Sequence, residues 1–255
     1  MDRASIFGVV LGVGAILFGQ ILEGGHVNSL IQLTAAIIVF GGTLGAVLVS
    51  APPADLRMAG NLLPRAFKDS KEFDIDSLIE EISESAHIAR KQSILALESR
   101  IPKFSNSYMQ NIFRFVIDGV DPAHIRSVFE TEIAMSEERR IAGAKVFSEA
   151  GGFAPTIGII GAVLGLIHVM ENLTDTAKLG SGIAIAFVAT VYGIGSANLF
   201  FIPLGNKLKR KVQEESIAKE MILEGALGIL AGINPHLLRE KLESYKSQSR
   251  SKGRT

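Results

Sequence analysis

Four stretches of the chain contain no Asp, Glu, Lys or Arg, and each is as long as a helix that crosses a membrane. They cover residues 4–22, 30–49, 153–170 and 183–204. An α-helix rises about 1.5 Å per residue, so about 20 residues span the roughly 30 Å of bilayer hydrocarbon. Four such stretches among 255 residues, with 26 glycines and a mean hydropathy of +0.32, disfavour buried helices of a soluble protein. The first stretch is long for a cleaved signal peptide, so we predict four retained transmembrane helices.

The Lys and Arg residues indicate the orientation of these helices. Residues 51–149 contain 13 of them and residues 207–255 contain 11, whereas residues 23–29 contain none and residues 171–182 contain one. Because positive loops stay in the cytoplasm, both large segments and both termini are predicted to be cytoplasmic. The predicted domains are a first transmembrane hairpin (1–50), a cytoplasmic helical domain (51–149), a second hairpin (150–206) and C-terminal cytoplasmic helices with a tail (207–255).

The polar segments carry helix signals and no lasting alternation of the kind that strands require. Asp76 can cap a helix that continues to Arg100. The sequence "GVDP" (119–122) predicts a helix end followed by a new helix start, and "GINP" (232–235) predicts the same. The predicted fold is therefore an all-α polytopic membrane protein with four transmembrane helices and a cytoplasmic helical domain.

Several kinds of chemistry have no motif in this chain. It has no cysteine, no GxxxxGK[ST] phosphate loop, no Gly-x-Ser-x-Gly, and five histidines without metal-ligand spacing. The 26 basic and 26 acidic residues cancel, which leaves no charge argument for nucleic-acid binding. We predict no enzyme activity, no cofactor, no metal site and no nucleic-acid partner.

Small residues recur at steps of three and four in the third and fourth apolar stretches. They are Ala154, Gly158, Gly161, Ala162 and Gly165, and then Gly182, Ala186, Thr190, Gly193 and Ala197. In lipid, such stripes let helix backbones approach closely, so Gly158, Gly161, Gly165, Ala186 and Gly193 are predicted to be packing residues. The two stripes either pack on each other or line a seam with other chains, and the hydroxyl of Thr190 favours the seam.

The apolar stretches also lack any Asp or Glu, although ion paths through membranes usually contain a carboxylate. If the chain conducts ions, another chain must supply that group. Pro155 and Pro203 lie near the same membrane face, at the start of the third stretch and the end of the fourth. They are either ordinary boundary prolines or a paired hinge.

The chain resembles the MotA/PomA family of flagellar stator subunits over nearly its whole length. The resemblance rests on "ARKQSILALES", "FVIDGVDP", "FAPTIGIIGAVLGLI", "AIAFVATVYGI" and "IPLGNKLKRK", in this order, and on the four-span layout. It implies a five-subunit ring in the inner membrane lipid, around a single-span, MotB-like partner that is anchored to peptidoglycan and supplies a membrane Asp. Ion flow would then drive the rotor protein FliG.

The resemblance also implies roles for individual residues. Arg90, Lys91 and Glu98 match family residues that contact the rotor, and Arg90 and Glu98 are expected two turns apart on one helix. Without the resemblance, these charges would be interpreted as a solvated helix face. Pro155 and Pro203 match the two prolines linked to conformational coupling.

Thr190 matches the family's ion-pathway threonine, and its neighbours bear on which ion is used. At Ala162 and Ala189, sodium-driven members have hydroxyl residues, and fewer oxygen ligands make dehydration of sodium less favourable. The sequence therefore predicts a proton-driven stator, with a sodium-driven stator of the PomA type as the alternative. Two further alternatives agree less well with the sequence. An ExbB/TolQ-like energiser would have one span before its large cytoplasmic segment, whereas two precede it here. A secondary transporter would carry charged groups of its own at the midplane, and the apolar stretches of this chain have no Asp or Glu.

Overall fold

The computed structural model describes residues 3–67, 73–171, 173 and 176–252, and the regular structure in this part of the chain is entirely helical. The α-helices are α1 (Arg3–Leu22), α2 (Leu33–Ala36), α3 (Gly42–Ser50), α4 (Pro53–Ala66), α5 (Ile75–Lys91), α6 (Ser107–Ile117), α7 (Pro122–Glu171), α8 (Thr176–Ser196), α9 (Ile202–Leu230) and α10 (Pro235–Lys252). Short 3-10 helices cover Val27–Leu30, Ile94–Leu97 and Ile101–Lys103. Two π-helical segments join neighbouring helices, Ile37–Gly41 between α2 and α3 and Ala197–Phe201 between α8 and α9.

Four helical segments in the described residues are long and apolar enough to cross a membrane. They are Ser5–Leu22, Val27–Ser50, Pro122–Glu171 and Leu179–Leu230. The first begins one residue after the predicted span 4–22, and each of the other three contains a predicted span. The all-α, four-span prediction is confirmed. The last two segments are much longer than the predicted spans, because α7 and α9 continue into polar sequence without a break.

The chain divides into two compact units, which differ from the predicted linear domains. The apolar unit comprises the described residues of 1–69 and 140–209, and the polar unit comprises those of 70–139 and 210–255. The difference arises at α4 and at the middle of α7. Leu62 and Ala66 of α4 are buried in one cluster with Ala144, Leu204 and Leu208, so this part of the predicted domain 51–149 belongs with the apolar helices. Residues 1–2, 68–72, 172, 174–175 and 253–255 of the predicted domains lie outside the described residues.

The polar unit is a helical bundle with its own core. Its largest fully buried side chains come from α5, α6, the first part of α7 and the second part of α9, and include Ile82, Met109, Phe113, Phe129 and Met221. Helix α10 closes the core with Leu238 and Leu242. The helices of the bundle bury this core among themselves, without lipid. Such packing is typical of amphipathic helices.

The predicted breaks at residues 119–122 and 232–235 are confirmed. Gly119 and Gly232 have φ of 72° and 69°, a backbone conformation that side chains with a Cβ rarely adopt. Asp121 Oδ2 accepts hydrogen bonds from the backbone N–H groups of Ala123 and His124, at 3.0 and 3.2 Å. Asn234 Oδ1 accepts one from the N–H of His236 at 3.0 Å.

The predicted helix from Asp76 to Arg100 is wrong at both ends. Helix α5 begins at Ile75, so Asp76 lies in its first turn, and the helix ends at Lys91. Ser93 is fully extended, with φ of 176° and ψ of 167°, and a 3-10 turn follows it. This turn places Leu97 in the core with no exposed surface. Burial of Leu97 therefore outweighs the helix propensity of the segment.

An ion-pair network joins three elements of the polar unit. Glu224 of α9 accepts from Arg126 of α7, at 2.6 Å, and from Lys241 of α10. Burial alone would raise the pKa of Glu224, but the hydrogen bonds from Lys241 and Arg126 outweigh it and lower that pKa. The hydrogen bonds that Arg126 donates to Glu224 and to Glu130 raise the pKa of Arg126. Glu224 is therefore held as a carboxylate.

Candidate functional site

The glycines of α7 and α8 bring the two helix backbones into direct contact. A Cβ added to Gly193 would lie 2.5 Å from the carbonyl oxygen of Ala154, and one added to Gly158 would lie 2.9 Å from that of Ala189. A Cβ at Gly165 would lie 2.8 Å from the backbone nitrogen of Ala186. No real Cβ tolerates such distances to backbone atoms. The small residues of the third and fourth apolar stretches therefore pack on each other within one chain, which was one of the two alternatives left open by the sequence.

Gly161 contributes to a junction of three helices. A Cβ at this position would lie 2.7 Å from the Cβ of Ala189 and 3.3 Å from Ile38, which is in the π segment between α2 and α3. Ala189 has no exposed surface and belongs to a buried cluster with Ala35 and Val39. The second span is therefore fixed against the hairpin of α7 and α8 at this level.

The three positions predicted for the ion path do not share one surface. Thr190 is half-buried, and its hydroxyl donates to the carbonyl oxygen of Ala186 at 3.2 Å. Ala162 is also half-buried, whereas Ala189 is enclosed by the chain's own residues. Thr190 and Ala162 are therefore partly exposed on this chain, whereas Ala189 is not.

The two predicted hinge prolines occupy different helical contexts. Pro155 lies inside α7, which continues through it. Pro203 is the second residue of α9 and follows the π segment, where the N–H of Ile202 donates to the carbonyl of Ala197, five residues back. Because proline has no N–H, a wider turn before it accommodates the missing bond.

Contacts across the hairpin show how the prolines align. A Cβ at Gly193 would lie 3.2 Å from the Cα of Pro155, and one at Gly151 would lie 3.3 Å from the nitrogen of Ile202. Gly151 precedes Pro155 by four residues, or about 6 Å along a helix. The prolines therefore lie at the same end of the hairpin, staggered by about one turn.

The charged residues predicted to contact a rotor are not on one helix. Arg90 and Lys91 lie in the last turn of α5, whereas Glu98 follows the 3-10 turn, so the expected spacing of two helical turns is wrong. All three side chains are exposed. Within the described part of the chain, none of them forms an ion pair or a side-chain hydrogen bond. The neighbouring Arg100, by contrast, pairs with Glu84 at 2.6 Å.

Tyr192 of α8 is a structural residue that sequence reasoning missed. Its hydroxyl donates to the carbonyl of Leu30 at 2.5 Å and accepts from the N–H of Gln32 at 3.3 Å. Its ring stacks on Phe40 with a centroid distance of 5.9 Å. Tyr192 thereby fixes the entry of the second span. A tyrosine inside an apolar stretch was the available signal, because a hydroxyl there needs a hydrogen-bond partner.

No grouping of three or more His, Asp or Glu side chains suited to a metal ion occurs among the described residues. Several charged groups in the described part of the chain instead form surface pairs or the network around Glu224. The geometry therefore offers a helix hairpin with an open threonine and a separate set of unpaired surface charges.

Comparison with known proteins gives consistent matches along the chain. Residues 97–221 match the model of the MotA/TolQ/ExbB proton channel family, and residues 6–91 match that of the motility protein A N-terminal region. Motility protein A of Bacillus subtilis is 36% identical over 96% of this chain and 91% of its own length. The chemotaxis protein PomA of Vibrio alginolyticus is 30% identical over 98% and 97% of the two chains.

Two solved stator structures have the same fold. The structure of C. jejuni MotAB matches with a TM-score of 0.91 and 33% identity, over 96% of each chain. The flagellar MotAB stator complex from Bacillus subtilis matches with a TM-score of 0.88 and 35% identity, over 98% of this chain and 99% of that one. The similarity to these two structures therefore covers the polar segments of the chain as well as its apolar helices.

Proposed function

The chain belongs to the MotA/TolQ/ExbB proton channel family and is a flagellar stator subunit of the MotA type, and we propose how its residues divide ion conduction from torque. The observation that carries the proposal is the pairing of a carboxylate-free set of spans with an open Thr190. The chain contributes helix packing and one hydroxyl to the ion path. It has no enzymatic role.

A second protein supplies the ion-binding carboxylate. Both matched structures are MotAB complexes, which supports a MotB-like partner. The family resemblance implies that this partner has a single span, a membrane Asp and a peptidoglycan anchor. Thr190 and Ala162 face this partner, because they are the predicted pathway positions that the chain leaves open. Ala189 acts one layer behind them by keeping α8 close to Gly161.

The chain assembles as a five-subunit ring around that partner. The apolar helices leave many large side chains exposed on one chain, among them Phe7, Leu33, Val49, Ile159 and Phe187. Some of these contact lipid and others contact neighbouring subunits. So many large apolar side chains exposed on these helices are typical of an interface or of a membrane-facing surface.

The four helices span the inner membrane with both termini in the cytoplasm. Besides the distribution of Lys and Arg, one contact supports this topology. Lys207, just after the fourth span, bonds the hydroxyl of Ser5, at the start of the first span. This contact supports a placement of the start of the first span and the end of the fourth span at the same membrane face. Four crossings between these two points require the same placement, and the Lys and Arg residues favour the cytoplasmic face.

Arg90, Lys91 and Glu98 contact FliG. Their side chains are exposed and unpaired within the described chain, so their charges are available to a partner surface. Arg100 is not included among these rotor-contacting residues, because its guanidinium group already pairs with Glu84. Complementary charges steer such contacts and set their specificity.

The conducted ion is the proton. Neither Ala162 nor Ala189 offers a side-chain oxygen. The hydroxyl of Thr190 already donates to the carbonyl of Ala186, which leaves the lone pairs of Thr190 as the one matched side-chain ligand. A proton needs only the partner's carboxylate and a polar or water-filled path. A sodium ion needs several oxygen ligands to replace its water.

Co-expression with the partner in a stator-deleted strain tests the division of labour. We expect the pair to admit protons and so to acidify the cytoplasm, and the partner's Asp→Asn variant to abolish this flux. Thr190→Ala should reduce the flux, with Thr156→Ala as the control, since Thr156 is exposed and bonds the carbonyl of Phe153. Flux that persists without the partner's carboxylate contradicts the proposal.

A further inference from the structure

Thr43 of the second span has a buried hydroxyl without a hydrogen-bond partner. The residue is 3% exposed, and its Oγ1 bonds to no described residue. The hydroxyls of Thr156 and Thr190, in the same unit, donate to carbonyl oxygens of their own helices at 2.8 and 3.2 Å. A buried polar group without a partner costs free energy, and a valine of nearly the same shape would avoid that cost. Packing of the second span therefore does not explain why a hydroxyl is present at this position.

The contacts on either side of Thr43 show which part of α7 lies at its level. A Cβ on Gly42 would lie 2.8 Å from Cγ2 of Ile157, so the second span touches α7 here. Further along the span, Val47 is buried in one cluster with Ala150 of α7. The two helices are thus antiparallel, since the numbers rise along one and fall along the other. Thr43 lies between these two contacts, at the level of the turn of α7 between residues 150 and 157.

Thr43 is also on the side of the second span that is covered by protein. Val39 and Val47, four residues before and after it, are both buried, as residues on one helix face are expected to be. Val39 belongs to a cluster with Ala189 of α8. The hydroxyl of Thr43 is therefore directed toward the hairpin of α7 and α8 and away from lipid.

Pro155 lies in the turn of α7 that Thr43 faces, and it leaves a backbone acceptor there. Because proline has no N–H, it cannot donate to the carbonyl of Gly151, four residues before it. In transmembrane helices, Ser and Thr side chains are among the groups that satisfy a carbonyl freed by proline. Gly151 directly follows Ala150, so its carbonyl belongs to the turn at the level of Thr43.

We propose that Thr43 is a positioning residue for a bend of α7 at Pro155, in which its hydroxyl donates to the carbonyl of Gly151. In the structure, α7 continues through Pro155 and the hydroxyl is unpaired. A hydrogen bond that forms in only one of two conformations shifts the balance toward that conformation. The inference rests on the proposed torque function and adds the residue that stabilises the bent state of its hinge.

Three variants separate the hydroxyl from the shape of the side chain. Thr43→Val removes the hydroxyl and keeps the branched shape, whereas Thr43→Ser keeps the hydroxyl. Thr34→Val is the matched control, because Thr34 is in the same span and is exposed. We expect the thermal unfolding midpoint of the Thr43→Val complex to be no lower than that of wild type, because the variant loses only an unpaired buried group. Torque at high load should nevertheless fall in Thr43→Val, and Thr43→Ser and Thr34→Val should retain it.

Hydrogen exchange of α7 in the full complex with its partner, in nanodiscs, measures the bend without swimming. The turn around Pro155 exchanges through its bent state, so exchange at residues 152–158 should be about five-fold slower in Thr43→Val, the factor that one ordinary hydrogen bond supplies. Thr43→Ser and Thr34→Val should match wild type. Equal exchange in Thr43→Val and wild type overturns the role of Thr43. A wild-type chain that shows the expected exchange but drives no swimming would instead contradict the torque function.

A second background keeps the test decisive against a purely structural role. Pro155→Ala supplies an N–H for the carbonyl of Gly151, so the hydroxyl of Thr43 is no longer needed there. Adding Thr43→Val to Pro155→Ala should therefore leave exchange at residues 152–158 unchanged. The same slowing in both backgrounds would show that Thr43 acts independently of the proline, which contradicts the proposal. Thr43→Ala also lacks the hydroxyl and takes the place of Thr43→Val in both backgrounds if that variant does not assemble.

Discussion

Gly193 of α8 approaches Ala154 of α7 so closely that a Cβ on Gly193 would lie 2.5 Å from the carbonyl oxygen of Ala154. The obstacle is backbone, which cannot move aside as a flexible side chain can. The contact explains why the helices retain glycines that a water-soluble helix would disfavour by about 1 kcal/mol each. It also fixes the level at which Pro155 meets the fourth span.

Gly193→Ala should therefore destabilise the hairpin by about 1–3 kcal/mol, the usual cost of overpacking. Gly195→Ala is the matched control, because a Cβ at Gly195 meets nothing within 4 Å. The thermal unfolding midpoint of the purified complex in detergent measures the difference. A midpoint that is equal in the two variants would show that the close approach is absent.

The surface charges of the polar unit provide the second prediction. Arg90→Glu and Glu98→Lys should each reduce swimming, and opposite charge changes on FliG should partly restore it. Arg114→Glu is the control, because Arg114 is an exposed arginine of the same unit and its side chain has no partner among the described residues. Insertion and complex recovery should be normal in all three. Unchanged swimming in both reversal variants would remove the rotor assignment.

Glu224 makes the stability of the polar unit depend on pH. Its lowered pKa means that its stabilising contribution is complete above the pKa of an unfolded glutamate, about 4.3, and is lost as pH falls through the folded value. Glu224→Gln should cost roughly 1–3 kcal/mol at neutral pH. The deficit should shrink once the pH falls below the unfolded value of about 4.3, and should be lost as the pH passes through the lower folded pKa, where wild type also loses the charge.

Hydrogen exchange of α9 and α10 in the full complex measures this effect. Glu243→Gln is its control, because Glu243 belongs to an exposed i,i+4 pair with Arg239. Such pairs contribute about 0.3–0.5 kcal/mol. A Glu224→Gln deficit that stays the same at low pH would contradict the assigned protonation state.

The turn before Pro203 leads to a prediction about the hinge. Pro203→Ala restores an N–H that can reach the carbonyl of Leu199, so the π segment is expected to shorten toward regular α-helix. We expect normal recovery of the complex and lower torque. Pro122→Ala, at the first position of α7, should have neither effect, because the missing N–H has no acceptor there. Full torque from the Pro203→Ala variant would show that Pro203 is an ordinary boundary proline and not part of a hinge.

Local sequence signals predicted the caps and the spans well. Gly119 and Asp121 act through their own backbone and one neighbouring turn, so the sequence contains all that is needed. The break between Lys91 and Glu98 could not be predicted in this way. It depends on burial of Leu97 in a core that the rest of the polar unit provides.

Tertiary contacts also decided which predicted site residues lie together. Ala189 and Thr190 are neighbours in sequence, but only the packing of Ala35 and Gly161 shows that Ala189 is enclosed while Thr190 stays open. The two π segments have no local signal apart from Pro203. The role of Tyr192 depends on the path of a loop 160 residues earlier.

Swimming speed under controlled ion gradients tests the central claim most directly. In a stator-deleted strain that expresses this chain with its MotB-like partner, we expect swimming to persist in sodium-free medium and to fall as a protonophore collapses the proton gradient. The same strain should not swim when this chain is expressed with the partner's Asp→Asn variant. Speed that follows external sodium and is insensitive to the protonophore would contradict proton-driven torque.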